Sequence, residues 1–80
     1  MIASMPTLAR LSKCTVAMYP ADHLPPHFHV RAKDGREALV ALGTLTMLSS
    51  KLAAREIAEA LAWASANQTL LATKWKELNP

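Results

Sequence analysis

The stretch HFHVRAKDGREALVAL, residues 27–42, decides the fold. Two runs of apolar and β-branched residues flank the dipeptide Asp34-Gly35. An Asp-Gly pair between strand-like runs is typical of a two-residue type I′ turn, so the stretch predicts an antiparallel hairpin. Counting outward from the turn predicts four opposed pairs, Lys33 with Arg36, Arg31 with Ala38, His29 with Val40, and His27 with Leu42.

This register divides the hairpin into two faces, because directly opposed residues share a face. The polar face is predicted to carry His27, His29, Arg31, Lys33 and Arg36, together with Ala38, Val40 and Leu42. The other face is predicted to carry Phe28, Val30, Ala32, Leu39 and Ala41, with Glu37 near the turn. We expect the second face to contact the core. A one-residue slip in the pairing would exchange the faces.

The flanking segments extend the hairpin into a sheet. Residues 7–11 and 14–19 are short strand-like runs, and Pro20 ends the second because proline has no amide proton to donate. Residues 27–33 and 36–42 form the hairpin strands. Gly43 ends the latter, and residues 44–48 predict a fifth short strand.

After Ser50 the apolar period becomes helical, and Ser50 is the predicted N-cap. Asn67 predicts a break and a new cap. The two apolar stripes fall at residues 53, 57, 60, 61 and 64, and at Leu71, Trp75 and Leu78. Strands followed by helices predict an α+β fold, an antiparallel four- or five-stranded meander with two C-terminal helices packed on one face. Residues 1–4 are interpreted as an N-terminal extension and residues 5–80 as a single domain.

The composition limits the class of protein. The chain has 80 residues, of which 51% are hydrophobic and 19% charged, so we expect one packed domain. Cys14 is the only cysteine, which fits a reducing compartment, and no apolar run is long enough for a membrane span. We therefore expect a cytoplasmic protein with no membrane partner. Domains this small bury little surface, so we also expect a homo-oligomer, with a dimer at micromolar concentration.

All three histidines lie in the segment DHLPPHFHV, residues 22–30. On a strand, side chains two residues apart point the same way, about 6.5–7 Å from each other. His27 and His29 can therefore converge on one ligand. His23 lies across a proline-stiffened loop and can fold back as a third ligand, and Asp22 can orient an imidazole or complete the shell.

Four interpretations of this segment remain open. The first is a divalent transition-metal site at His23, His27 and His29. The second is acid–base cleavage of RNA, with His27, His29 and Arg31 as catalytic candidates. The third is binding of nucleic acid or an acidic protein by Asp22, His23, His27, His29, Arg31, Lys33 and Arg36, a surface favoured by the net charge of +3. The fourth is a half-exposed sheet face with no ligand.

The pH dependence of binding distinguishes the anion-binding interpretation from the metal-binding interpretation. Anion binding should strengthen as the pH falls toward about 5.5, because imidazoles gain charge in that range. Metal binding should weaken, because protons compete for the same nitrogens.

Several of these motifs resemble one family. The string Pro-Pro-His-Phe-His-Val at residues 25–30, Glu37-Ala38 after a turn and the closing Leu70-Leu71…Trp75 are similar to the small bacterial family called domain of unknown function four-one-six-zero. The similarity covers essentially residues 5–78, although Leu24 and Ala53 depart from residues that members often carry.

The resemblance implies a short bacterial cytoplasmic protein that is commonly encoded beside a second small protein. It therefore implies a component of a toxin–antitoxin-like or paired regulatory module. We expect such a component to bind a small cognate protein, and also nucleic acid, through its basic histidine-containing sheet face. The alternative is a small hydrolase, either metal-dependent or a histidine-based ribonuclease, that uses the His23/His27/His29 cluster.

Overall fold

Five short strands pair in chain order to form one antiparallel sheet. A computed structural model describes residues 7–20 and 22–80, so the predicted extension at residues 1–4 lies outside the described part. The strands are β1 (Thr7–Arg10), β2 (Cys14–Ala17), β3 (His27–Ala32), β4 (Glu37–Ala41) and β5 (Met47–Ser50). The predicted α+β meander is confirmed in its five-stranded form.

Two helices follow the sheet, α1 (Ala54–Ala66) and α2 (Gln68–Leu78). Asn67 separates them as predicted, and its side-chain amide donates to the Trp63 carbonyl, 2.8 Å away. Neither helix in the described part of the chain is long and apolar enough to cross a membrane. The core lies between the sheet and the helices, and its members include Val16, Phe28, Val30, Ala38, Val40, Ile57, Ala60, Ala64 and Leu71.

The β3–β4 turn has three residues, so the predicted two-residue turn is wrong. The Ala32 amide donates to the Arg36 carbonyl at 2.9 Å, and the Gly35 amide donates to the Ala32 carbonyl at 3.0 Å. Gly35 has φ +94°, whereas Asp34 is not among the positive-φ residues. A type I′ turn needs positive φ at both central residues, and one αL glycine after a type I turn makes the three-residue loop instead.

The extra loop residue shifts β4 by one position. The observed pairs are Arg31 with Glu37, Val30 with Ala38, His29 with Leu39, Phe28 with Val40, and His27 with Ala41. The shift leaves the predicted faces of β3 unchanged, and they are correct, because Phe28 and Val30 lie in the core. The predicted faces of β4 are exchanged, because Ala38, Val40 and Leu42 are buried while Glu37, Leu39 and Ala41 share the side of the sheet that carries His29.

The first four strands are one to two residues shorter than predicted, and the starts of β5 and α1 also differ from the prediction. The fifth strand begins at Met47 and not at residue 44, because a turn intervenes in which the Leu45 amide donates to the Ala41 carbonyl at 2.9 Å. Ser50 belongs to β5 and does not cap α1, since its hydroxyl contacts the Leu52 amide at 3.0 Å. The helix begins after Ala53, whose amide donates to the Glu56 carboxylate at 2.8 Å.

Candidate functional site

The loop that precedes β3 folds back and contacts the first residues of that strand. Pro25 and Pro26 favour an extended entry into the strand, and strand alternation places His27 and His29 on one side. Their ring centroids are 5.2 Å apart. His27 is completely buried, and the indole of Trp75 from α2 lies 5.5 Å from its ring. The prediction of a half-exposed position is therefore wrong for His27, because α2 packs against it.

Asp22 joins the two imidazoles. Its Oδ2 lies 3.0 Å from His27 Nε2 and 3.1 Å from His29 Nε2. Its backbone amide donates to Asn79 Oδ1 at 2.8 Å, which attaches the loop to the end of α2. The ligand atoms of Asp22, His27 and His29 all lie within 4.8 Å of one another, and we call this group the Asp22–His27–His29 cluster.

The hydrogen bond at His27 Nδ1 sets the tautomer of the ring. Nδ1 lies 2.8 Å from the Pro25 carbonyl oxygen, which can only accept, so Nδ1 carries a proton. In the neutral imidazole Nε2 then presents a lone pair. This nitrogen is buried and has no hydrogen bond within the described part of the chain, although Asp22 Oδ2 is close. A lone pair beside a carboxylate oxygen is repulsive unless a proton or a metal cation lies between the two atoms.

His29 is enclosed by polar and aromatic neighbours. Its Nε2 is hydrogen-bonded to Asp22, and the ring of Tyr19 packs edge-on with centroids 4.4 Å apart. Its Nδ1 is buried without a hydrogen bond, and the nearest carboxylate oxygen is that of Glu37 at 3.7 Å. Glu37 is not among the residues predicted for the site, because the predicted register placed it on the core face. A prediction with a three-residue loop would have placed Glu37 on the same side of the sheet as His29.

His23 lies at the rim of the cluster. Its side chain is 73% exposed, and its ring stacks on His27 with centroids 5.0 Å apart. Its Nε2 is 3.7 Å from Asp22 Oδ1, beyond hydrogen-bonding distance. The structure thus brings His23 near the pair predicted from the sequence, but Asp22 is the third member of the tight group.

The environment of Asp22 favours its charged form. Partial burial raises the pKa of this carboxyl, but the hydrogen bonds from His29 and from the His23 amide, together with the closeness of the His27 and His29 rings, outweigh burial and lower the pKa. The side chain is 17% exposed. A carboxylate that stays ionised between two imidazoles is suited to a cation.

The basic residues predicted for the histidine face are divided between two sides of the molecule. Arg31 is exposed and follows His29 by two residues on β3. Lys33 lies in the exposed turn. Arg36 is wrongly predicted to join the histidines, because the three-residue loop turns it toward α1. There its guanidinium contacts Glu56 Oε2 at 2.6 Å and Asp34 Oδ2 at 2.8 Å.

The donor set of the cluster fits a small transition-metal ion. Ligands of a tetrahedral ion with bonds of about 2.0–2.1 Å lie roughly 3.3 Å apart, close to the distances from Asp22 Oδ2 to the two imidazoles. Two histidines and one carboxylate leave coordination positions open for water or substrate. The Pro25 carbonyl at His27 Nδ1 and the Glu37 carboxylate near His29 Nδ1 occupy the outer positions that orient metal-bound imidazoles.

Comparison with models of protein families gives a match over most of the chain. Residues 14–76 match the family model described as Domain of unknown function (DUF4160). No curated protein and no solved structure matches the chain. The matched range includes the complete Asp22–His27–His29 cluster.

Proposed function

Since the chain belongs to the DUF4160 family, whose description assigns no activity, we propose from the site itself that it is a small metal-dependent hydrolase. The Asp22–His27–His29 cluster holds a divalent transition-metal ion. His23, which lies at the rim, shields the cluster from solvent.

The observation that carries this proposal is the state of His27 Nε2. The atom is buried, has no hydrogen bond to residues 7–20 or 22–80, and lies 3.0 Å from a carboxylate oxygen. An unsatisfied buried polar group costs about 1–3 kcal/mol, and its persistence in a small domain needs a reason. Coordination of a cation supplies that reason, because the lone pair and the carboxylate both become ligands.

The buried position of His27 also favours a metal-dependent hydrolase over a histidine-based ribonuclease. A metal-free ribonuclease would need both imidazoles to reach the RNA phosphate. His27 has no exposed surface with which to do so. A metal ion at the cluster would instead lower the pKa of bound water to about 7 and supply a nucleophile at an open position.

The test is metal analysis of protein purified without a polyhistidine tag, followed by competition titration with Zn²⁺. We expect one ion per chain, and we expect Asp22→Asn and His29→Ala each to weaken binding by at least about 100-fold. Asp34→Asn is the matched control, because Asp34 is an exposed carboxylate at the other end of the hairpin. Sub-stoichiometric, variant-independent binding would refute the proposal.

A second candidate function is suggested by the sheet edge. All four residues of β5 are exposed, including Met47 at 42% and Leu48 at 44%, and among the described strands β5 pairs only with β4. Such an edge suits addition of a strand from another chain. The edge supports binding of a cognate protein, and we propose as the second candidate a cytoplasmic component of a toxin–antitoxin-like pair that also binds nucleic acid through exposed basic side chains such as Arg31.

Self-association through the same edge would make the protein a homodimer. Light scattering at micromolar concentration should then show a dimer that Leu48→Lys converts to a monomer. The matched control is Leu24→Lys, since Leu24 is 76% exposed but lies in the loop before β3. A wild-type monomer whose melting temperature does not vary with concentration would argue against self-association.

A further inference from the structure

A cavity of about 380 Å³ opens on the sheet surface beside His29. It is lined by His29, Glu37, Leu39, Ser49, Ser50 and Lys51. Cavities of a few hundred Å³ suit small molecules. The cavity shares His29 with the Asp22–His27–His29 cluster, so a small ligand here would lie next to an ion bound at that cluster.

One basic residue, Lys51, lines this cavity, and a second, Arg31, lies on the far side of Glu37 from it. Arg31 pairs with Glu37 across β3 and β4, and the Lys51 amide donates to the Glu37 carbonyl at 3.0 Å. The order across the sheet is therefore Arg31, Glu37, Lys51. Both basic side chains are exposed, and within residues 7–20 and 22–80 neither forms an ion pair with a carboxylate. The side chains of Arg31 and Lys51 are thus available to an anionic ligand.

We infer that this cavity binds the phosphate group of a small phosphate ester, with Lys51 and Arg31 on its oxygens. The inference rests on the proposed metal centre and names the substrate class of that same site. A phosphate group offers three strong acceptor oxygens and nearly two negative charges, which matches two basic side chains and one neighbouring metal ion. Ser49 adds a hydroxyl to the lining.

The local charges make phosphate binding depend on the metal. Without an ion, the carboxylates of Asp22 and Glu37 balance the charges of Arg31 and Lys51. A divalent ion at the cluster makes the surroundings positive, because a bound metal is the largest charge in its site. Anion affinity should therefore appear only when the cluster is loaded.

The experiment is calorimetric titration of phenyl phosphate into the full chain, first saturated with Zn²⁺ and then stripped of metal. We expect binding to the loaded protein and at least about tenfold weaker binding to the stripped protein. Lys51→Ala and Arg31→Ala should each weaken binding to the loaded protein by about fivefold, while their affinity for Zn²⁺ stays unchanged. Lys76→Ala, an exposed lysine on α2, is the matched control.

The outcomes separate this inference from the proposed function. If Zn²⁺ binds but phenyl phosphate does not, or if Lys51→Ala and Lys76→Ala behave alike, the phosphate site is refuted and the metal centre stands. If Zn²⁺ itself does not bind, both the metal centre and the phosphate site are refuted. Inorganic phosphate binding as tightly as phenyl phosphate would identify the free anion as the ligand and refute an ester. A single-stranded oligonucleotide binding far more tightly than phenyl phosphate would refute a small ester.

Discussion

Both ends of the β3–β4 hairpin carry a polar cluster, but the two clusters differ in burial and in hydrogen bonding. At the turn, Arg36 contacts Asp34 and Glu56, all three side chains are at least 30% exposed, and Arg36 Nη1 also donates to the Lys51 carbonyl. At the opposite end, His27 is fully buried and His29 is 15% exposed. Each of these histidines has one ring nitrogen without a hydrogen bond.

The difference indicates which cluster needs a ligand. Exposed ion pairs contribute little to stability, but water satisfies whatever the protein leaves unpaired. A buried nitrogen does not contact water, so the cost of its desolvation is offset only when a proton or a metal ion lies between it and the neighbouring carboxylate. The polar groups of the turn cluster have partners within the protein or in water, whereas the metal ion that we propose would supply the missing partner in the Asp22–His27–His29 cluster.

The largest expected effect is stabilisation by metal at the histidine end. Zn²⁺ at about 100 times its dissociation constant should add about 2.7 kcal/mol to the free energy of unfolding. For a domain of this size that corresponds to a rise in melting temperature of roughly 10–20 °C. Circular dichroism melts should show this rise in the wild type and in Glu56→Gln at the turn, and none in His27→Leu. An equal rise in all three proteins would show that the ion binds elsewhere.

The next effect concerns the turn end. Gly35→Ala should lower the free energy of unfolding by about 1 kcal/mol, because φ +94° strains any residue with a Cβ. Gly43→Ala is the control, since a Cβ there meets no atom within 4 Å and its φ is ordinary. Urea denaturation measures both. Equal stability of the two variants would contradict the three-residue loop.

A smaller effect is expected from His27→Leu in the absence of metal. Leucine removes the unsatisfied Nε2 of His27 and also its Nδ1 hydrogen bond to the Pro25 carbonyl, and because these two effects oppose each other the free energy of unfolding should change by less than about 1 kcal/mol. Phe28→Ala, the neighbouring core residue, should lose about 3–5 kcal/mol. Urea denaturation in the presence of a chelator compares them. A loss at His27→Leu as large as that at Phe28→Ala would mean that His27 is a structural core residue.

The smallest effect is the pH dependence of the turn cluster. The side-chain hydrogen bond from Arg36 lowers the pKa of Glu56, and the backbone and side-chain hydrogen bonds from Arg36 lower the pKa of Asp34. A carboxyl whose pKa is lower in the folded state stabilises above its unfolded pKa, and this stabilisation is lost as the pH falls through the folded pKa. Arg36→Ala should therefore flatten the fall in melting temperature on acidification. An unchanged acid slope would show that the exposed pairs contribute nothing measurable.

Much of β3 was predictable from the sequence. Prolines before His27 and alternation of polar and apolar residues predicted which side Phe28 and Val30 occupy, and both are in the core. The same alternation predicted that His27 and His29 lie on one side of the strand. β4 was not predictable in this way, because Asp34-Gly35 suits two loops of different length. Burial of Ala38 and Val40 selects the three-residue loop, since it brings both onto the side that holds Phe28.

The sequence by itself determined the meander, the break between the helices at Asn67 and the position of the histidine segment, because each depends on residues adjacent along the chain. Tertiary structure decided the composition of the site. Asp22 reaches His27 and His29 through a loop attached to Asn79, Trp75 buries His27 from a helix far along the chain, and Glu37 faces His29 across the sheet. These contacts join distant segments, and the packing of the core, not local preference, sets the register that brings them together.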